Sequence, residues 1–232
     1  MIDKAADSCF NRAFTKYIVK EFTQYGFKRY KSRNIARIVN GSILQFINFQ
    51  KEAHGDKSFT VNIAFRPLYI PHDFLILEPG SRIAKFNNQT DKWWYFTEIY
   101  VEDSFKEVSQ LLKDKVLYMF NTLSTTDELI KHYNSNIFPI SWYSDQSNGF
   151  YDLAYLFLKE HRFEEAIDNF TKASELYKAY GFDWSEEKYK ECREVLRLCK
   201  EEKDTVDKYL NKCEKKSLEV LKIDKELFMY NK

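Results

Sequence analysis

Hydrophobic residues recur at two different spacings along this chain, and the spacing changes near Gly149. Between Ile43 and Phe65 the period is two. Ile43, Gln45, Ile47 and Phe49 point one way, and Leu44, Phe46, Asn48 and Gln50 the other. Beyond a polar loop from Lys51 to Lys57, Phe59, Val61, Ile63 and Phe65 alternate with Ser58, Thr60, Asn62 and Ala64. Successive strand side chains face opposite sides of a sheet, so the pattern predicts two antiparallel strands with one buried and one wetter face. Upstream, Asn40-Gly41 is a strong signal for a tight hairpin, since both residues tolerate positive φ. A two-residue turn there pairs Val39 with Ser42, Arg37 with Leu44, Ile35 with Phe46 and Arg33 with Asn48.

Helical spacing brackets this sheet. Phe10, Phe14, Tyr17, Ile18, Glu21 and Phe22 predict an amphipathic helix from about Asp7 to Tyr25, ended by Gly26. Pro67, Pro71 and Pro79 mark Leu68 to Gly80 as a loop. Ser81 to Phe86 and Lys92 to Val101 read as two further strands. Ser104 with Glu107 forms a capping box opening a helix to about Asn121, with Phe105, Val108, Leu111, Leu112, Val116 and Met119 inward. Thr125 with Glu128 caps a shorter helix to Tyr133, and the polar stretch Ser141 to Gly149 is a candidate boundary. From Phe150 onward the spacing is helical, with helices expected at about Ser185 to Lys200 and Asp204 to Leu221. The expected fold class is α+β: a five-stranded mainly antiparallel sheet with flanking helices over 1–140, then an all-α domain over 141–232.

Composition narrows the function classes. The 232 residues are 44% hydrophobic and carry a net charge of +1. A dedicated nucleic-acid binder carries a basic excess, so a nucleic-acid partner is disfavoured. The short run Lys28, Arg29, Tyr30, Lys31, Arg33 mixes cations with an aromatic, as RNA-tracking surfaces do, but charge elsewhere cancels its field. Cys9, Cys192, Cys199 and Cys213 form no CxxC pair and read as buried apolar thiols. His54, His72, His132 and His161 share no spacing, so none is nominated for catalysis or metal binding, and no cofactor is expected. No stretch is apolar enough to span a bilayer and the start lacks a signal-peptide core, which points to a cytoplasmic protein.

The wetter face of the sheet is the leading candidate site. In the hairpin register above, Arg33, Arg37, Asn48, Gln50, Thr60, Asn62 and Arg66 share one side, with Asn48 opposite Thr60. Arginines among amides suit a carboxylate, a phosphate or an acidic partner surface. The ordinary alternative is a solvated sheet face. In Trp93-Trp94 one ring faces the core and the other is more exposed; Trp94 is the second candidate, as a partner-binding anchor.

Two resemblances follow from particular residues. Tyr25-Gly26-Phe27-Lys28, Val39 to Gln50, Phe59 to Ile63, Arg82-Ile83 and Asp91 to Trp94 occur in the order seen in a bacterial family known as domain of unknown function 4304. That resemblance covers roughly 7–140, and it implies a bacterial cytosolic protein without supplying chemistry. Phe150, Leu153, Ala154, Phe157, Ala166, Phe170 and Ala173 resemble one tetratricopeptide repeat, in which small residues let two antiparallel helices pack. The chain departs from that family at Lys178, where proline is usual. Lys188 and Lys200 fall where a second repeat, in phase from Trp184, needs small residues. The expectation is therefore a non-catalytic interaction module, of the inhibitor or immunity-partner kind. The rival is an enzyme or small anionic-ligand binder that uses the polar sheet face.

Overall fold

Phe10, Phe14, Ile18 and Phe22 lie along one stripe of a helical run at 4–25 (α1), and all are fully buried. The run ends where expected. Gly26 takes φ 82°, and the Phe27 N–H returns to the Phe22 carbonyl at 3.2 Å, a helix stop that a residue without Cβ makes at low cost. The computed structural model describes residues 4–53, 55–75, 77–135, 137–141 and 145–230. His54 and residues 142–144 of the candidate boundary lie outside the described residues.

Among the described residues six strands follow α1: β1 (Lys28–Tyr30), β2 (Asn34–Val39), β3 (Ile43–Lys51), β4 (Ser58–Pro67), β5 (Gly80–Arg82) and β6 (Trp94–Tyr95). They form one antiparallel sheet in the order β1-β2-β3-β4-β5, with β6 also paired to β4. The hairpin register differs from the expected one by a single residue. Asn40 and Gly41 do take positive φ, 47° and 74°, but Val39 pairs with Ile43, so the loop has three residues. Arg37 consequently sits opposite Gln45, and Asn34 opposite Asn48. The observed pairing gathers Ile35, Val39, Ile43 and Ile47 on one face; the two-residue turn would have split that set. Between β3 and β4 the slip is two residues, which keeps faces unchanged: Asn48 opposes Asn62, and Gln50 opposes Thr60.

The two later strands are shorter than their patterns suggested. Beyond Arg82 the chain turns into a 3-10 segment, Ile83–Asn87, and past Tyr95 it turns toward a helical run at 101–122 (α2). Ser104 lies inside the first turn of α2 instead of capping it, and its Oγ donates to the Tyr95 carbonyl at 2.7 Å. The helix starts earlier because the Val101 N–H already reaches Thr97 O at 2.9 Å. The next capping box is present: Glu128 N–H donates to Thr125 Oγ1 at 3.2 Å, and Thr125 N–H to Glu128 Oε2 at 3.1 Å, opening α3 (Thr126–Ser135).

Helices α1 and α2 cover the odd-numbered face of the sheet. Phe10, Phe14, Phe49, Phe59 and Phe105 meet there in stacked and edge-on pairs. All six residues expected inward on α2 are buried. The C-terminal region is helical: α4 (Gln146–Lys159), α5 (Phe163–Tyr180), α6 (Asp183–Glu201), α7 (Val206–Leu221) and α8 (Lys225–Phe228). Ala154, Ala166 and Ala173 are fully buried where α4 packs on α5. The apolar cluster under the sheet continues without a break into α4, α5, α6 and α7. A smaller cluster joins Ala36, Ile38, Leu44 and Phe46 of the even-numbered face to Leu221, Ile223 and Phe228. The chain after Phe228 makes one parallel bridge, Met229 to Ile38.

Candidate functional sites

The wetter face carries Asn48, Gln50, Thr60, Asn62 and Arg66 as expected, but not Arg33 or Arg37. Its uncovered part is a row of register partners, Asn34, Asn48, Asn62 and Arg82. Asn48 Nδ2 donates to Asn34 Oδ1 at 2.7 Å; Asn62 Nδ2 donates to Asn48 Oδ1 at 2.9 Å and to Gln50 Oε1 at 3.1 Å. Thr60 Oγ1 lies 3.5 Å from Asp91 Oδ1, and Arg82 Nε lies 3.9 Å from that same oxygen. The Arg82 guanidinium sits 5.5 Å from the Trp93 ring, whose Nε1 donates to Asp91 Oδ2 at 3.1 Å. Asn48, Gln50, Thr60 and Asn62 are thus brought together; the amides bond one another, and Thr60 faces Asp91.

The arginines are placed elsewhere. Arg33 is exposed in the turn after β1. Arg66 is on the same face but buried beneath the C-terminal helices, with Nη2 3.4 Å from Ile70 O, an oxygen that Ser217 of α7 also reaches. Trp94 is buried against Phe59, leaving Trp93 as the more exposed ring.

Arg37 faces the opposite side, a direct consequence of the one-residue register shift. It is 1% exposed and donates to three neutral oxygens: Gln45 Oε1 at 2.7 Å, Tyr25 O at 2.6 Å and Asn121 Oδ1 at 3.0 Å. Gln45 in turn donates to the Phe120 carbonyl. Tyr25 ends α1, while Phe120 and Asn121 lie in the last turn of α2, so the guanidinium rests against the negative ends of two helical runs. It is also sandwiched between the rings of Phe27 and Tyr230, at 4.6 and 4.8 Å. Each helix end offsets about 0.3–1 kcal/mol, whereas removing an ion from water costs several kcal/mol. Burial accordingly pushes the Arg37 guanidinium down to about 10. Beside it is a cavity of about 310 Å³.

A larger cavity, about 680 Å³, lies between the proline-rich loop after β4 and helices α6 and α7. Phe74, 67% exposed, and Trp184, 50% exposed, stand on its walls. Its rim alternates charges: Asp73, Glu187 and Glu194 against Lys188, Lys212 and Lys216. Lys216 Nζ reaches Asp73 Oδ1 at 3.2 Å, bridging α7 to the loop. At the floor, Glu191 accepts from Tyr151 Oη at 2.6 Å, Tyr155 Oη at 2.9 Å and Lys188 Nζ at 3.0 Å. Burial holds both tyrosine hydroxyls well above their usual range, so they remain donors. His72 lies in the wall with Nε2 3.3 Å from Asp152 Oδ1, both side chains buried. Burial pushes the His72 imidazole down; Asp152 opposes that shift, and Arg66 and Lys188 add to it. Cys213, also lining the cavity, is raised to about 11 by burial and is therefore a thiol at neutral pH.

Residues 18–122 match the family model described as a domain of unknown function (DUF4304). No curated protein and no solved structure matches the chain. All five segments that carry the family resemblance lie inside the matched residues. The match therefore takes in the amide row and Arg37, and stops before the Phe74–Trp184 cavity is complete, since Trp184 lies beyond it.

Sequence spacing missed His72, Asp152 and Glu191, because they come from a loop and two helices far apart in the chain. The usable signals were Tyr151 and Tyr155, four apart on one helix with polar tips that need partners when buried. Among the described residues, no group of three or more His, Cys, Asp or Glu is placed to hold a metal ion. No helix among them is long and apolar enough to cross a membrane.

Proposed function

We propose that this chain is a non-catalytic protein-interaction module of the bacterial cytosol, an inhibitor or immunity-type partner that docks another polypeptide in the Phe74–Trp184 groove. The observation that carries this reading is the pair of exposed aromatics on an open cavity of about 680 Å³ whose rim alternates positive and negative charge. Aromatic anchors in a concave patch are where binding energy concentrates. A rim of mixed sign suits a polypeptide better than a single small ion. The packing of α4 on α5 through the buried Ala154, Ala166 and Ala173 supports it, if the sequence resemblance to a tetratricopeptide repeat is carried over, since hairpins of that family serve peptide recognition.

The test compares affinity purifications from native lysate of the wild-type chain and the double variant Phe74→Ala/Trp184→Ala. Both positions are exposed, so folding survives. A stoichiometric protein recovered with the wild type and lost with the variant is the expected result. Recovery of none, or of the same protein by both, refutes the reading. A second reading has one specific observation behind it: the buried His72–Asp152 contact in the cavity wall has the form of an oriented base. The amide row of the sheet face, with its arginines removed to other places, supports a small-anion site less well than its residue types suggested.

A further inference from the structure

The cavity beside Arg37 is independent of the groove and has a different character. Asn40 comes from the turn after β2, Asn121 from the end of α2, Ser124 and Thr125 from the turn before α3, and Tyr230 from the C-terminal segment. No acidic side chain is among its described lining residues. The nearby Glu128 carboxylate accepts from the Ser124 and Thr125 N–H and hydroxyl groups, which are therefore committed.

A guanidinium has five N–H donors, and among the described residues Arg37 uses three of them: one on Nε, one on Nη1 and one on Nη2. One N–H on each terminal nitrogen is left. Two such donors match the two oxygens of a carboxylate or phosphate. Asn121 accepts from Arg37 through Oδ1, leaving its own Nδ2 to donate. Asn40, which carries an amide, and Tyr230, which carries a hydroxyl, line the same walls. A buried cation has three neutral acceptors and two spare N–H groups, its described lining neighbours carry no negative charge, and the Glu128 carboxylate behind them is engaged by Ser124 and Thr125. The two helix ends offset only part of the cost of burying it.

We infer that this cup is a binding site for a small oxyanion, a carboxylate or phosphate group held by Arg37 with the amides of Asn40 and Asn121. The volume, about 310 Å³, admits a small metabolite or the anionic end of a longer one.

The experiment titrates the full chain with inorganic phosphate and, separately, with acetate, at ionic strength held constant with sodium chloride. Heat of binding and the Arg37 Nε resonance are both followed. Saturable binding of either ion that moves the Arg37 resonance is expected, and the ion that binds more tightly says which oxyanion the cup prefers. Asn40→Asp tests the site without touching the core. The position is exposed with φ 47°, a conformation aspartate tolerates, and it lines the cup. Binding weakens roughly tenfold in that variant through like-charge repulsion. Arg37→Met abolishes it; should that variant fail to fold, Asn40→Asp still decides. The inference is overturned if neither ion saturates at millimolar concentration, if the Arg37 resonance is unmoved, or if Asn40→Asp binds as the wild type does.

Discussion

The two cavities handle charge in opposite ways. Around the groove, lysines meet carboxylates, Lys188 with Glu191 at 3.0 Å and Lys216 with Asp73 at 3.2 Å, and the His72 imidazole, whose protonation burial disfavours, lies 3.3 Å from Asp152. Around the cup, one cation meets amide and carbonyl oxygens and the faces of two rings. Internal pairing leaves the groove a rim of mixed sign over a satisfied floor, suited to a broad contact. A cation without its counter-charge leaves a focused demand for one small anion. The difference comes from position. The groove joins side chains of a loop and of separate helices that can supply both signs, whereas the cup lies where two helical runs end, and helix ends supply carbonyls.

The largest effect that breaks this contrast is predicted at Gly26. A Cβ there would collide with the Tyr230 ring, on a backbone already at φ 82°. Gly26→Ala should therefore lower unfolding free energy by roughly 3 kcal/mol, combining left-handed strain with overpacking, and should open the cup. Urea denaturation followed by tryptophan fluorescence measures the loss; an unchanged midpoint would mean Tyr230 does not cover Arg37. Next is Arg37→Met, expected to cost about 2 kcal/mol because Gln45, Tyr25 and Asn121 lose a buried donor. The same curves report it, and a cost near zero would make Arg37 an idle cation.

The paired side should respond less. In Lys188→Met, Glu191 keeps two tyrosine hydroxyls, so the loss should be about 1 kcal/mol and shrink in high salt. A loss equal to that of Arg37→Met would erase the distinction between the cavities. The smallest effect is a pH dependence. The folded His72 imidazole lies below its ordinary 6.5, so the unfolded chain takes up the proton first. Its contribution to stability is complete above about pH 6.5 and is lost as pH falls through the lowered value. Denaturation midpoints should decline over that window in the wild type and decline less in His72→Gln. Asn40→Asp, on the cup, should follow the wild type there.

Legibility differed between the helices and the sheet. The inward stripe of α2, from Phe105 to Met119, was readable because helical period is a local property, and every member is buried. The Gly26 stop and the Thr125–Glu128 box were readable for the same reason. In the sheet, alternation separated Asn48, Gln50, Thr60 and Asn62 from the apolar set, and they do share a face. Alternation did not say which residues of β2 join them. Asn40-Gly41 is compatible with loops of two or three residues, and the choice moves Arg37 from one side to the other. Trp93 and Trp94 pose the same problem on a shorter scale: period two says that they diverge, while the pairing of Trp94 with Phe59 decides which is buried.

The chain's own pattern determined the element types, the change to helical spacing after Gly149, the helix stops and the class of the fold, since each depends on residues a few positions apart. Tertiary structure alone decided that Arg37 is a buried cation between two helix ends, that Arg66 lies beneath the tail, and that His72 meets Asp152. Those outcomes depend on which surfaces remain unburied when distant elements compete for the same apolar face. Burial against a partner far along the chain leaves no periodic trace in the residues that undergo it.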